Sequence, residues 1–437
     1  MVVFASHHNL GASAVAGMGA GWHVYMPADP ETGSSFLLQG YSPNTTQQAT
    51  SIIGIPNTMK SKLCSLVIVF ALAVAWTTSC STIPEVNQSE SGELVATDGF
   101  PLTVSWSTSM DDLIVSTPVA KGKVVAIWTK TGLELLDGES GNIQWKYSVP
   151  VTGQPVPPVM MNNYTLAPHD QFVDVLSTQT GKRLHQLQSP MDPIQGSVKS
   201  LAVDSEQVYV VWGSTKLATY SLATGHEIWQ MPVASRAPPD VVTCGESKVC
   251  LGVANRIEVY NALSGAKVGV IVVGSGDAAI LYPVYDGKST LFVVYNSIRG
   301  KALVSLDLQK YTQNWAAPIP AAPNYPAAVL DGVVYVSPAM VLAFDATTGN
   351  RLWESNTGDR TLQTPVEFHD AVYVRSVSGF VYAIDKTSGQ QLGRLKTATY
   401  GLWGANIIQP MPVAIDDNIL IVPSGAKVLG YVIKKGL

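Results

Sequence analysis

Charge is scarce in this chain: Asp, Glu, Lys and Arg make up 14% of its 437 residues, against about 25% in an ordinary soluble protein. Basic residues are the minority, 27 Lys and Arg against 32 Asp and Glu, for a net charge of -5. That balance excludes a general nucleic-acid binder, which needs a basic surface to neutralise phosphates. A hydrophobic content of 46% with so small a net charge excludes long disorder. There are 4 cysteines and no Cys-x-x-Cys pair, so the zinc-ribbon pattern is missing. No apolar run approaches the roughly 20 residues of a spanning helix. The basic residues are also unevenly placed, because none precedes Lys60.

From Met59 the sequence changes character. Met59-Lys60-Ser61-Lys62 supplies two positive charges, and a mostly apolar run follows from Leu63 to Trp76. That length suits a signal-peptide core of roughly 7–15 residues and is too short to span a bilayer. The run ends in Thr77-Thr78-Ser79-Cys80-Ser81, small residues followed by cysteine. It resembles a bacterial lipoprotein signal, in which the cysteine is lipidated and becomes the mature N-terminus. Thr77 departs from the motif, where an aliphatic residue is usual, and an ordinary secretory signal cleaved nearby is the alternative. Residues 59–79 are therefore expected to be a signal peptide and Cys80 a lipidation site. Residues 1–58 are expected to be a spurious upstream or disordered extension, so His7, His8 and His23 are not read as metal ligands. Residues 80–98, rich in Ser, Glu, Thr and Gln, read as a flexible tether.

Cys64 lies in the signal, which leaves Cys244 and Cys250 in the body. They flank a Gly-Glu-Ser-Lys turn between two short strand patterns, a spacing compatible with a hairpin disulfide in an oxidising compartment. The alternative is a pair of small buried hydrophobes.

The body, 99–437, is a repeat. Its clearest unit runs Asp345-Ala346-Thr347-Thr348-Gly349-Asn350-Arg351-Leu352-Trp353; Asp137, Gly141 and Trp145 form another, and Gly225 and Trp229 a third. Weaker copies turn at Gly181, Gly265 and at Asp385 with Gly389, while Asp307 and Trp315 keep the spacing with Tyr311 in place of Gly. The turn positions 141, 181, 225, 265, 311, 349 and 389 differ by 40, 44, 40, 46, 38 and 40, the length of a propeller blade. In each unit the polar residue opens a turn by bonding backbone N–H groups, glycine closes it at positive φ, and Trp lies on the next strand, facing a neighbouring blade. Upstream pairs such as 328–336, with Asp331-Gly332 at the turn, read as hairpins. Four short strands per unit and no helical period predict an all-β propeller. Residues 412–432 hold three further strands without a fourth, and 102–107 hold an orphan strand with Trp106. Joined, they make an eighth four-stranded antiparallel blade and close the ring; seven blades is the alternative.

These units resemble the PQQ-type (quinoprotein-like) propeller repeat over residues 100–433. That family contains quinone-dependent alcohol dehydrogenases and non-enzymatic propellers. Among the latter, the architecture resembles the propeller lipoproteins of the outer-membrane β-barrel assembly machinery, through the cysteine, the short tether, Trp106-Ser107-Thr108-Ser109 and eight-blade closure. The repeat specifies the fold and is nearly silent about function.

The resemblance to quinone enzymes implies a calcium-bound quinone, a catalytic carboxylate and often two adjacent cysteines. No cysteines are adjacent here, and the inter-strand loops are short. Gly274-Ser275-Gly276-Asp277-Ala278-Ala279 fits a loose dinucleotide pattern, but no amphipathic helix follows. His169, His185, His226 and His369 fall in four different repeats without ligand spacing and read as ordinary strand or surface residues. No catalytic, cofactor-binding or metal-ligating residue is assigned. The expectation is a monomeric, non-enzymatic, exported propeller, lipid-anchored to a bacterial membrane and binding protein partners at its surface; a small-molecule or quinone-binding propeller is the alternative. Candidate docking features are the irregular segments 231–240 and 400–406. Trp403 is a candidate anchor or else packs between blades, and Arg236 receives no role by analogy because its surroundings do not match.

Overall fold

A computed structural model describes residues 100–151, 155–191, 196–233, 240–245, 247–361, 363–397, 411–416 and 418–432. It also describes the strand backbone at 22–25, 35–40, 49–54, 96–97, 401–403 and 406–408. The chain divides into two units, Met1–Ser89 and Glu90–Leu437. In the first, Trp22–Tyr25, Ser35–Gly40 and Ala49–Gly54 pair antiparallel in chain order. The signal-like run and Cys80 lie outside the described residues.

The second unit is an eight-bladed propeller of antiparallel sheets. Blades 1 to 7 occupy residues 119–148, 159–188, 198–232, 241–272, 279–318, 328–355 and 366–396. Blade 8 joins Ala414–Asp416, Ile419–Ser424 and Lys427–Val432 to Trp106–Ser109 from the start of the unit. Its register sets Trp106 opposite Gly430 and Ser109 opposite Lys427, which closes the ring as the orphan strand predicts. All elements among the described residues are strands, and none is a helix long and apolar enough to cross a membrane.

Stacking explains the low charge. The two middle strands of a blade are covered on both faces, so alternate residues serve alternate seams. In blade 1, Val125, Ile127 and Leu136 pack with Ile421 and Val428 of blade 8. Their neighbours Ala126, Trp128, Leu133 and Leu135 pack with Met160, Ala167 and Leu176 of blade 2. Such strands read as continuous apolar runs, and only the outer strands alternate, as in Ile143–Ser148.

The repeat motif is an inter-blade clamp. Asp345 accepts hydrogen bonds from the N–H groups of Thr347 (3.0 Å) and Thr348 (2.7 Å) and from the Thr348 hydroxyl (2.8 Å). Gly349 then closes the turn at φ +74°. A Cβ there would lie 2.6 Å from the ring of Trp315, which comes from the preceding blade. The Trp315 indole N–H donates to the Ala346 carbonyl at 3.1 Å. The same bond joins Trp106 to Gly138, Trp145 to Thr178, Trp229 to Ala262 and Trp353 to Lys386, at 2.7–2.9 Å. Glycine thus serves twice, for its backbone conformation and for the absent methyl group that admits the ring.

Three seams depart from this pattern: two keep a ring against a glycine, and the third, between blades 7 and 8, has no such ring. Between blades 2 and 3, His185 replaces Trp and lays its smaller ring over Gly225. Between blades 4 and 5 the clamp is inverted. Gly269 stands where Trp belongs, and the turn residue Tyr311, at φ +55°, lays its ring over Gly269. One aromatic ring and one glycine still meet, with their owners exchanged.

This inversion makes a double-mutant cycle informative. Gly269→Trp alone drives an indole into the Tyr311 ring and should cost about 1–3 kcal/mol. With Tyr311→Gly added, the ordinary clamp is restored. The double variant should be more stable than the sum of the singles by at least about 1 kcal/mol in chemical denaturation; additive losses would show that the rings do not couple.

Candidate interaction surface

The seam between blades 7 and 8 lacks a Trp clamp, because Gly393 occupies the ring position and blade 8 has no turn before its fourth strand. Other groups hold it. Arg375, at the end of strand Ala371–Arg375, is fully buried and donates from Nη1 to the Met411 carbonyl at 3.1 Å and to the Pro423 carbonyl. Its Nη2 donates to the Thr397 hydroxyl at 2.5 Å. Burial pulls its pKa down to about 9. The Phe100 ring sits edge-on to Tyr373 of blade 7 and Tyr431 of blade 8, with centroids 6.0 and 5.9 Å away. Just before it, Ala96–Thr97 pairs with Leu395 and Arg394 as a fifth strand on the outer edge of blade 7. The end of the stretch read as a tether therefore adds a strand to blade 7, and the residues after it wedge the closing seam.

Buried carboxylates tie strands instead of facing a cavity. Asp174 accepts from His169 Nε2, the Tyr147 hydroxyl of blade 1 and Gln186 Nε2, each at 2.8 Å. Burial pushes its pKa up, but these donors outweigh burial and hold it below the ordinary value. Glu258 is held likewise by the Tyr260 hydroxyl, by Arg256 Nε at 2.7 Å and by Lys267 Nζ at 3.0 Å. Of the body histidines, His169 is buried in the Asp174 cluster and His185 forms a clamp, whereas His226 and His369 are exposed on turns. Neither interior role was read from the sequence. Counting four residues on from Gly181 would have found His185; no comparable spacing marks His169 or Arg375.

Cys244 and Cys250 are joined by a disulfide, with Cα atoms 5.8 Å apart, where Val241–Thr243 turns into Lys248–Val253. Arg236 lies outside the described residues. For Trp403 only the backbone is described, in a hairpin of Gly401–Trp403 with Asn406–Ile408. The Gly274 segment forms no helix and is an inter-blade connection; Gly274 packs against the Tyr295 ring. Blade 5 carries the longest hairpin strands among the described blades, the eight-residue Thr290–Ser297 and Gly300–Asp307, with Ile298, 91% exposed, at their turn.

A quinone site needs carboxylates converging on a divalent ion. Among the described residues no three His, Cys, Asp or Glu side chains converge in that way. The two bonded cysteines are six positions apart, not adjacent. Among the described residues, the donors present do not fit that cofactor.

Comparison with known proteins places these features. The family model described as "Outer membrane protein assembly factor BamB" matches residues 90–242 and 254–436. A protein of that name from Shewanella oneidensis is 22% identical over 401 residues, covering 82% of this chain and 96% of the relative. The crystal structure of BamB from Moraxella catarrhalis superposes with a TM-score of 0.60 at 18% identity, covering 76% of this chain and all of that one. A quinohemoprotein alcohol dehydrogenase from Pseudomonas putida superposes at 0.56 with 14% identity, over 77% of each chain. At these identities the solved structures share the fold and nothing narrower.

Two substitutions test the irregular seams. Burial lowers the His185 pKa, while the unfolded chain restores it to about 6.5. Protons therefore favour the unfolded state, and this contribution to stability is lost as pH falls below about 6.5. His185→Trp should shrink the drop in Tm between pH 7.5 and 5.5; an unchanged drop would assign the acid sensitivity elsewhere. Arg375→Met leaves the Met411 and Pro423 carbonyls without their donor and should cost about 2–4 kcal/mol by denaturant unfolding. A neutral result would remove Arg375 from the closure.

Proposed function

This chain belongs to the family of the outer membrane protein assembly factor BamB, and on that premise we propose that it is a non-enzymatic, lipid-anchored extracytoplasmic platform for outer-membrane protein assembly. The observation that carries the proposal is the extent of the family match. It runs through the propeller from residue 90 to 436 with one short gap, and the Shewanella relative is covered over 96% of its length. The likeness therefore concerns the complete ring and not a common blade.

The residues support binding over chemistry. Among the described residues, buried charges are engaged in tying strands, and the donor set does not suit a quinone and its metal. The dehydrogenase likeness extends to the propeller scaffold. A ring clamped at nearly every seam presents loops and rims in fixed positions, which suits docking because little conformational entropy is lost on binding. Cys80, behind a signal-like run, is the proposed site of the anchor. A mature lipoprotein cysteine carries more than one acyl chain, enough for stable membrane attachment.

Fractionation and co-purification test the proposal together. The protein should sediment with membranes, and Cys80→Ser should release it without lowering the Tm of the propeller. From detergent-solubilised membranes, the wild-type chain should bring down a β-barrel assembly component in stoichiometric amount. Saturable binding of quinone with calcium, and no such partner, would overturn the assembly role.

A further inference from the structure

The eight blades leave eight outer strands around the rim, and each turns a row of alternate side chains to solvent. The rows are comparable position by position, three, five and seven residues after the turn. In blade 1 the row is Gln144, Lys146 and Ser148; in blade 3, Ile228, Gln230 and Pro232; in blade 5, Asn314, Ala316 and Pro318. Blade 6 carries Glu354, and the edge of blade 7 is occupied by Ala96–Thr97. Charge, proline or an added strand are the usual means by which an exposed sheet edge avoids pairing with other chains. Blade 4 uses none of them at these three positions, since its Lys267 lies outside the row and pairs with Glu258. In blade 2 the row is Leu184, Gln186 and Gln188, polar at two of three positions. The outer strand of blade 4, Lys267–Val272, exposes Val268 (46%), Val270 (39%) and Val272 (62%) in succession. Among the described rims, this row alone is wholly apolar and β-branched.

We propose that the outer edge of blade 4, Lys267–Val272, is a docking site for an extended segment of a partner protein that carries apolar side chains at alternate positions. Strand addition supplies backbone hydrogen bonds, and the valine row selects the side chains that face it. The chain itself shows that a rim of this ring accepts another strand, since Thr97 and Ala96 pair with Arg394 and Leu395 on blade 7. A second copy of the chain is the weaker occupant. A six-residue strand is about 20 Å long, and two convex rims meeting along it bury far less than the roughly 1,200 Å² of a stable interface. A flexible peptide can follow the edge and cover the valines without the rest of a folded partner being brought in. The edge does not depend on the assembly role, and any partner with such a segment would fit it.

Titration of the purified full chain into a fluorescein-labelled peptide of alternating Val and Thr, capped with Lys for solubility, tests this by fluorescence anisotropy. Saturable binding is expected. Val270→Lys and Val272→Lys should each weaken it at least about 10-fold, while Gln313→Lys on the rim of blade 5 should leave it unchanged. A peptide N-methylated at the residues that would bond the edge should not bind. Absence of saturation, equal binding of the N-methylated peptide, or insensitivity to both lysine variants would overturn the proposal. So would a dimer in sedimentation that Val270→Lys dissociates, because the edge would then belong to a second copy. Circular dichroism and a melting curve establish that each variant is folded, and Val272→Lys, at the most exposed position, carries the test if Val270→Lys is not. None of these readouts requires an assembly partner, so the edge and the assembly role are decided separately.

Discussion

An aromatic ring laid on a bare glycine backbone is the contact on which this molecule depends. Each blade is a small sheet that cannot bury both of its faces alone, so the ring stands only if neighbours are held in register. The clamp does this at the wide outer end of the seam, where twisted sheets diverge and ordinary side chains would not meet. Its hydrogen bond uses a carbonyl left over by the turn, and its ring covers the one turn residue without a side chain. The Asp, Gly and Trp of the repeat are thus parts of one device that spans two blades. This is why they recur about once per blade while the strands between them vary freely among apolar residues.

The inverted seam shows which part of the device is physically required. Exchanging the owners of ring and glycine between Gly269 and Tyr311 preserves the packing, and His185 preserves it over Gly225 with a smaller ring. What persists is a flat group against a backbone with no Cβ in the way. In sequence this reads as decay of the motif. It is substitution within a fixed geometry, and it becomes legible only when the position four residues after one turn is set against the next turn.

The spacing of the turns, the hairpin at Asp331-Gly332 and the unpaired strand at Trp106 were enough to predict the architecture and its closure, because local chemistry and global pattern agree there. The 7/8 seam was not legible. Arg375 sits in a strand that otherwise reads as apolar, and Phe100 belongs to no repeat. Both act on partners far away along the chain, which no local period can reveal. The candidate surface was harder still. Features chosen for proline or tryptophan fell partly outside the described residues, whereas the informative row in blade 4 is ordinary in composition. It stands out only when all eight rims are aligned by structure.

That alignment changes the meaning of the scarce charge. A propeller turns the inner edge of each blade into its central channel and pairs its closing strands, but leaves an outer edge on every blade. A chain with few charges must place them selectively, and here Lys146, Glu354 and Arg394 stand in the exposed rows of outer strands, five residues after their turns. Proline guards blades 3 and 5, and a strand from the beginning of the propeller unit covers blade 7. Since the same chain protects several rims by different means, a row that is apolar at every exposed position is not explained by composition alone. Replacing one valine of blade 4 by lysine would have been the least disruptive remedy, because these side chains touch solvent and not the core. The retention of three in a row on an open edge is the pattern expected where pairing is of use.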